Sequence, residues 1–250
     1  WLSEEGVKYA PDLILLAFYP GNDFMNNWAP LEYANTPIVR KPWFELVDGE
    51  LVLHDSPFDP EQIDESRQRL REMAADIDTV AVPTQQVEIE QGPLRPVGDW
   101  LKGSSALYRY LDPRLRRSAP TIVAWLAQLG VLTPGQESSD RAQGADFIPL
   151  AYGVFEQPPG ASWRQSFAVT GALLAEMKQT ADEMGAPLVG LVPSAPEQID
   201  QVRWQRTLAA YPAMQQHTWS LDQPSQQALD LLAAAGIPAH SGPRRARQFC

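Results

Sequence analysis

The sequence predicts an α/β fold, a three-layer α/β/α sandwich built on a parallel sheet, from three observations. The run 13–19 is continuously apolar, which is typical of a strand buried on both faces. A long amphipathic helix at 162–184 leads through Gly185 into a second apolar run at 187–192. Helices that separate apolar strands indicate a parallel sheet with right-handed crossovers.

The helix at 162–184 has the clearest periodicity in the chain. Ser162 and Gln165 have the spacing of a capping box. Apolar or small side chains recur every three or four residues along one face: Trp163, Phe167, Thr170, Leu174, Met177, Ala181 and Met184. After the strand at 187–192 we expect a turn at 193–196, helices at 197–210 and 224–235, and a strand that begins after Gly236.

The middle of the chain predicts smaller elements. Asp48-Gly49 between two apolar segments predicts a two-residue hairpin turn, because both residues accept a positive φ. Asp59-Pro60 begins a helix whose apolar face is Ile63, Leu70, Met73 and Ile77. We expect a loop at 80–100, short helices at 104–117 and 121–129, and a mobile loop at 133–146. Together, residues 24–161 are interpreted as a large insertion.

Composition excludes several classes of function. The 250 residues carry a formal net charge of −11, which argues against nucleic acid as a partner. No apolar run approaches the roughly 18 residues of a membrane span, so we expect no membrane contact by this segment. The single cysteine excludes disulfide scaffolds and cysteine-based zinc sites. The acidic residues are dispersed, and the sequence implies no metal or organic cofactor.

One predicted strand end is chemically unusual. Ligands of open α/β sheets bind beyond the carboxyl ends of the strands, and Gly21-Asn22-Asp23 stands there after the first strand. The Asn22 amide can donate a hydrogen bond to an oxygen that becomes negative in acyl transfer, a contribution of roughly 3–4 kcal/mol. We expect Asp23 to cap the next turn or to accept backbone N–H bonds. An ordinary turn is the alternative role for Asn22.

This part of the chain resembles a known family. Tyr-Ala-Pro-Asp-Leu-Ile-Leu-Leu at 9–16, followed by Gly21-Asn22-Asp23, is similar to the third conserved block of the SGNH (GDSL-type) hydrolases. The resemblance implies a flavodoxin-like SGNH fold, with Asn22 in the oxyanion hole and Gly21 and Asp23 in support. It also implies hydrolysis or transfer of small acyl esters, such as acetyl groups on glycans, through a serine acyl-enzyme. One departure is that Pro20 stands where the G-x-N-D pattern has glycine.

The other functional residues of that family have no counterpart here. The family serine lies in a G-D-S element ahead of the asparagine block, and this sequence has none. The family base lies in a D-x-x-H element, and none of His54, His217 and His240 has aspartate three residues before it. We therefore expect this chain by itself to be inactive.

Other nucleophile and base candidates have ordinary structural explanations. Ser194 lies between two prolines and is expected in a turn rather than a nucleophile elbow. Ser104 and Ser105 are expected to cap a helix. His54 is expected at an exposed strand end, and His217 in a polar loop.

A second hypothesis is a non-catalytic α/β module that binds a glycan or protein through the insertion. Trp28, Trp43 and Trp100 fall in or near the insertion, where aromatic rings could line a cleft. We expect each of them to pack in the protein instead, as Trp163 does on its helix.

The domain boundaries complete the prediction. Residues 1–239 are interpreted as one incomplete SGNH hydrolase-like domain. Residues 240–250 contain Arg244, Arg245 and Arg247 without any acid, which predicts an unstructured basic tail from a truncation or frame shift. A truncated, inactive relic is the third hypothesis. The oligomeric state and compartment stay open; the parent protein is expected to be secreted, periplasmic or membrane-anchored.

Overall fold

A computed structural model describes residues 2–35, 41–54, 60–75, 77, 94–108 and 146–242, with scattered positions between 110 and 132. The strands are β1 Ile14–Ala17, β2 Trp43–Val47, β3 Glu50–His54, β4 Leu188–Val192 and β5 Ala239–Ser241. The helices are α1 Asp23–Asn27, α2 Ala29–Asn35, α3 Pro60–Ala75, α4 Arg95–Ser104, α5 Ala161–Glu183, α6 Pro196–Ile199, α7 Gln201–Ala210 and α8 Gln223–Ala234. Three 3₁₀ helices are Gly6–Tyr9, Leu150–Phe155 and Pro212–Gln216.

A three-stranded parallel sheet organises the fold. The strand order is β1-β4-β5, with Ile14 opposite Leu188 and Gly190 opposite Ala239. β1 connects to β4 through α5, and β4 connects to β5 through α6 to α8. The mixed α/β class and the parallel sheet predicted from the sequence are therefore confirmed.

The prediction that the first strand is buried on both faces is wrong. Side chains of β1 alternate, with Ile14 and Leu16 packed against the core and Leu15 62% exposed. On the neighbouring strand, Leu188 is 3% exposed and Leu191 is 40% exposed. Both crossovers advance in the same direction along the sheet, so right-handed connections bring both helices to the same face. Among the described residues, no second helical layer covers the opposite face.

The helices on the core face follow their predicted patterns. Trp163, Phe167, Leu174 and Ala181 of α5 are buried, as the periodicity predicts. α8 and β5 both approach Gly190 of β4 closely. A Cβ on Gly190 would lie 3.2 Å from Leu232 Cδ1 of α8 and 3.0 Å from the Ala239 Cβ of β5. These contacts explain why the sheet centre carries a glycine.

The capping-box prediction for this long helix is wrong. α5 begins at Ala161, with Gly160 as its N-cap residue. Ser162 is buried in the first turn instead of capping it. At the other end, Gly185 has a φ of +70°, as expected for a glycine that ends a helix.

The segment directly after β1 packs into the main core. The Phe24 ring makes edge contacts with Phe18 at 4.9 Å and Phe167 at 4.7 Å between centroids. Ser166 Oγ donates to the Phe24 carbonyl, and Asn27 Nδ2 donates to Thr170 Oγ1 at 3.2 Å. These two hydrogen bonds and the aromatic contacts hold α1 against α5. The interpretation of 24–161 as an insertion stays a prediction.

The predicted hairpin is confirmed. Asp48 and Gly49 have φ values of +51° and +88°, which a type I′ turn requires. Across β2 and β3, the Trp43 ring stacks on the His54 imidazole at 4.0 Å. Trp43 also belongs to a small buried cluster with Leu70 of α3.

Several sequence expectations need correction. The loop predicted at 80–100 is wrong for residues 95–100, which belong to α4. Pro96 does not interrupt this helix, because it lies in the first turn, where backbone N–H groups have no partner within the helix. Ser104 ends α4 and its Oγ donates to the Trp100 carbonyl at 2.5 Å, whereas Ser105 Oγ accepts the Tyr108 N–H at 3.2 Å as a cap would. Residues 80–93 and 133–145, and most of the expected helices up to 129, lie outside the described residues.

Two further corrections concern the C-terminal third. The helix expected at 197–210 is divided into α6 and α7, because Asp200 caps α7 by accepting the Arg203 N–H at 3.0 Å. The unstructured tail expected from His240 is wrong for its first two residues, since His240 and Ser241 pair with Leu191 and Val192 in β5. Residues 243–250 lie outside the described residues. Within the described chain, no helix has the length and apolarity needed to cross a bilayer.

The one-sided burial of the sheet predicts unequal effects of two leucine substitutions. Leu188→Ala should lower the free energy of unfolding by about 2–5 kcal/mol, because it opens a cavity under α5 and α8. Leu15→Ala should change it by roughly 0.5 kcal/mol or less, because that side chain is already hydrated. Urea unfolding of both variants measures the difference, and equal losses would contradict a sheet that is covered on one face.

Candidate functional site

A tight turn follows β1 and presents the predicted site residues. Phe18 N–H donates to the Leu191 carbonyl at 2.9 Å, which extends the strand pairing up to the turn. The Asn22 and Asp23 N–H groups both donate to the Tyr19 carbonyl, at 3.2 and 3.0 Å. This bonding reverses the chain and starts α1 directly beyond the carboxyl end of β1.

Asn22 is the N-cap residue of α1, and its side chain is exposed. An N-cap asparagine ordinarily accepts a backbone N–H from the first turn, but this side chain makes no capping bond. Within the described residues, the Asn22 carboxamide has no hydrogen-bond partner. Its N–H groups are therefore available to a ligand.

Gly21 is needed for packing rather than for an unusual backbone conformation. The Tyr19 ring folds over it, so that a Cβ on residue 21 would lie 2.6 Å from Tyr19 Cζ. Pro20 is fully buried beside it. This packing accounts for glycine at position 21 rather than at position 20.

Asp23 supports the turn, as its position after the strand predicts. Its Oδ2 accepts the Tyr19 N–H at 2.6 Å. Burial raises the pKa of the Asp23 carboxyl, although the bond from Tyr19 acts in the opposite direction. The carboxylate thus holds the backbone of the turn.

A cleft of about 860 Å³ lies at this edge of the sheet. Gly21 lines it, and exposed Asn22 is the next residue along the chain. We call it the tyrosine–arginine cleft, after the most numerous polar side chains of its described lining, which are Tyr19, Tyr152, Glu197, Arg203, Arg206, Thr207 and Tyr211. The cleft therefore joins the turn after β1 to α6 and α7, which follow β4.

An ion pair stands in this cleft. Arg203 Nε donates to Glu197 Oε1 at 2.8 Å, and the Glu197 side chain is only 10% exposed. The hydrogen bond to Glu197 raises the pKa of the Arg203 guanidinium. Burial, and next the Glu197 charge, raises the pKa of the Tyr19 hydroxyl. The Tyr19 phenol is therefore a neutral donor at neutral pH.

The sequence alone does not indicate a functional role for Glu197, Arg203 and Arg206. They lie on α6 and α7, which follow β4, and β4 is the neighbour of β1 in the sheet. Because parallel strands end at the same edge, these helices begin at the edge where Asn22 lies. That adjacency was the available signal. The charges themselves look like an ordinary helix surface in the sequence.

The remaining candidates lie elsewhere. His54 Nε2 is 3.0 Å from Glu45 Oε2, and His217 Nδ1 is 2.6 Å from Glu156 Oε1. His240 lies in β5. None of the three histidines lines the cleft. Ser194 is in the predicted turn between β4 and α6.

The tryptophans divide into two groups. Trp28, Trp43 and Trp163 are buried, as expected for packing residues. Trp100 is 67% exposed, so the expectation that it packs is wrong. In the described part of the chain, no group of three or more His, Cys, Asp or Glu side chains is placed to hold a metal ion.

Comparisons with known proteins give no assignment. No protein-family model, curated protein or solved structure matches this chain.

The raised pKa of Asp23 predicts a pH-dependent effect of Asp23→Asn, which keeps an acceptor for Tyr19 N–H. Because the pKa of Asp23 is raised in the folded protein, the folded protein binds this proton more tightly than the unfolded chain does. The contribution of Asp23 to stability therefore falls as the pH rises above 3.8, the ordinary pKa of aspartate, and through the higher pKa of the folded state. Wild type should therefore gain stability relative to the variant between about pH 7 and about pH 4.5. Urea unfolding at both pH values tests this, and a relative loss by wild type on acidification would contradict it.

The contact between Tyr19 and Gly21 predicts that two substitutions are coupled. Gly21→Ala should destabilise wild type by about 1 kcal/mol, because the Tyr19 ring must leave its rotamer. In a Tyr19→Ala background, the same change should be neutral or stabilising by a few tenths of a kcal/mol. Thermal unfolding of the four proteins in this cycle gives the coupling, and additive effects would contradict the contact.

Proposed function

We propose that this chain supplies the oxyanion-hole segment of an SGNH-type hydrolase or acyltransferase that acts on small acyl esters, such as acetyl groups on glycans. One observation carries the proposal: the Asn22 carboxamide, which has no hydrogen-bond partner among the described residues, lies at the carboxyl end of a parallel strand and follows Gly21, which lines the cleft. The flavodoxin-like three-layer fold is part of the proposal. The strand order β1-β4-β5 with helical crossovers is compatible with it.

The proposed chemistry assigns a role to each residue of the turn. The Asn22 amide donates to the oxygen that becomes negative when an ester carbonyl is attacked. Asp23 holds the turn through the Tyr19 backbone, and Gly21 lets the Tyr19 ring lie close to the chain. Among the described residues that line the cleft there is no serine, histidine or cysteine. The proposal therefore takes the nucleophile and the base from G-D-S and D-x-x-H segments that this sequence lacks.

A binding module without catalysis is the second candidate. It is favoured by the same cleft, since tyrosine and arginine side chains are well suited to pack against a bound ligand and to donate hydrogen bonds to it. Trp28 and Trp43 are buried and therefore cannot contact a ligand at the surface. The tyrosine–arginine cleft is then the better candidate for the binding site of such a module.

Hydrolysis of p-nitrophenyl acetate tests the proposal in the protein encoded by the complete reading frame that contains this chain. Asn22→Ala should lower kcat by about 10²–10³-fold, because it removes one oxyanion donor. Asn26→Ala, a matched change on α1, should leave kcat within about twofold. The isolated chain should show no turnover above background.

Unchanged kcat in Asn22→Ala would overturn the oxyanion role. An absence of turnover in the complete protein, together with ligand binding in the cleft, would favour the binding module.

A further inference from the structure

The Arg203 guanidinium is bonded to Glu197 through Nε only. Its Nε–H is used by Glu197, while within the described residues no bond is made by its two terminal amino groups. A guanidinium carries five donors in a planar fork, and the paired terminal groups match the two oxygens of a carboxylate. Glu197 thus orients Arg203 and leaves its bidentate end for a ligand.

Arg206 adds a second cation on the same wall. It stands three residues after Arg203 on α7, so both side chains project from the same helix face. Both line the cleft, and the part of the chain that the structure describes offers Arg206 no ion-pair partner. The described lining holds these two arginines and one acid, Glu197, so its net charge is positive, whereas the chain has a formal charge of −11.

Aromatic rings form the other walls. Tyr152 is partly exposed and packs against the buried Tyr211, with 5.9 Å between their ring centroids. The partly exposed Tyr19 ring packs against Gly21. Tyrosine combines a flat apolar face with a polar hydroxyl, which suits the C–H faces and rim hydroxyls of a sugar ring. The cleft volume of about 860 Å³ falls within the range of small-molecule sites.

We propose that the tyrosine–arginine cleft binds an acidic sugar, with the ring against the tyrosines and its carboxylate on Arg203 and Arg206. The inference deepens the proposed function, because it names uronate-bearing glycans as the substrate class. The inference rests on the proposed function only because both use the same cleft. Sugar binding can be measured without any ester, so it is tested separately from catalysis.

An ordinary surface ion pair is the competing explanation of Arg203 and Glu197. Such pairs contribute little and have no need of a neighbouring unpaired arginine. Here Glu197 is buried while Arg203 is 56% exposed, which is the arrangement of an anchored arginine that presents its outer edge. The aromatic walls and the second arginine face the same space, which a simple ion pair would not require.

Calorimetric titration of the chain with tetragalacturonate tests the proposal, with the neutral tetragalactose as the paired ligand. The uronate should bind at least tenfold more tightly than the neutral sugar. Arg206→Gln should weaken uronate binding about tenfold or more, and Arg203→Lys should do the same because it keeps the charge but loses the fork. Arg71→Gln, an exposed arginine of α3 outside the cleft, should leave affinity unchanged.

Thermal unfolding shows that each variant is folded, and Arg206→Gln breaks no ion pair of the described residues. Equal affinity for the two tetrasaccharides, or undiminished uronate binding in both cleft variants, would overturn the proposal. Binding of inorganic phosphate as tightly as uronate would also overturn it, by identifying a general anion site. Because no ester is present, loss of uronate binding and loss of ester turnover are separate results.

Discussion

The parallel pairing of β1 with β4 is the constraint on which the rest of the structure depends. It joins segments that are far apart in the sequence, with Ile14 opposite Leu188. Its backbone bonds extend from Ile14 N to the Pro187 carbonyl and from Phe18 N to the Leu191 carbonyl. Closing so long a connection costs entropy that grows only slowly with length. Burial of the core face under α5 and α8 offsets that cost.

The candidate site is a direct consequence of this pairing. Parallel strands end at the same edge of a sheet, so the turn after β1 and the helices after β4 share one cleft. Burial and the charges of Glu197 and Asp23 raise the pKa of the Tyr19 phenol, and the Arg203 charge acts in the opposite direction. Charges of both signs therefore lie close together at one edge of the sheet.

The direction of the crossovers explains the uneven burial of the sheet. Apolar residues occupy both faces of β1, so composition alone does not distinguish a covered face from an open one. Successive strands are added on the same side, and right-handed connections then bring α5 and α8 to one face. Coverage of a sheet is decided by the path of the chain rather than by the hydrophobicity of a strand.

Short-range patterns in the sequence were sufficient for the hairpin at Asp48-Gly49, the long helix α5 and the position of Asn22 after a strand. Each depends on the φ preference of one or two residues or on periodic burial along one element. The pairing of Glu197 with Arg203, the closeness of both to Tyr19 and the uncovered face of β1 were decided only by tertiary structure. These features depend on contacts between distant segments, and no local preference of the residues involved encodes them.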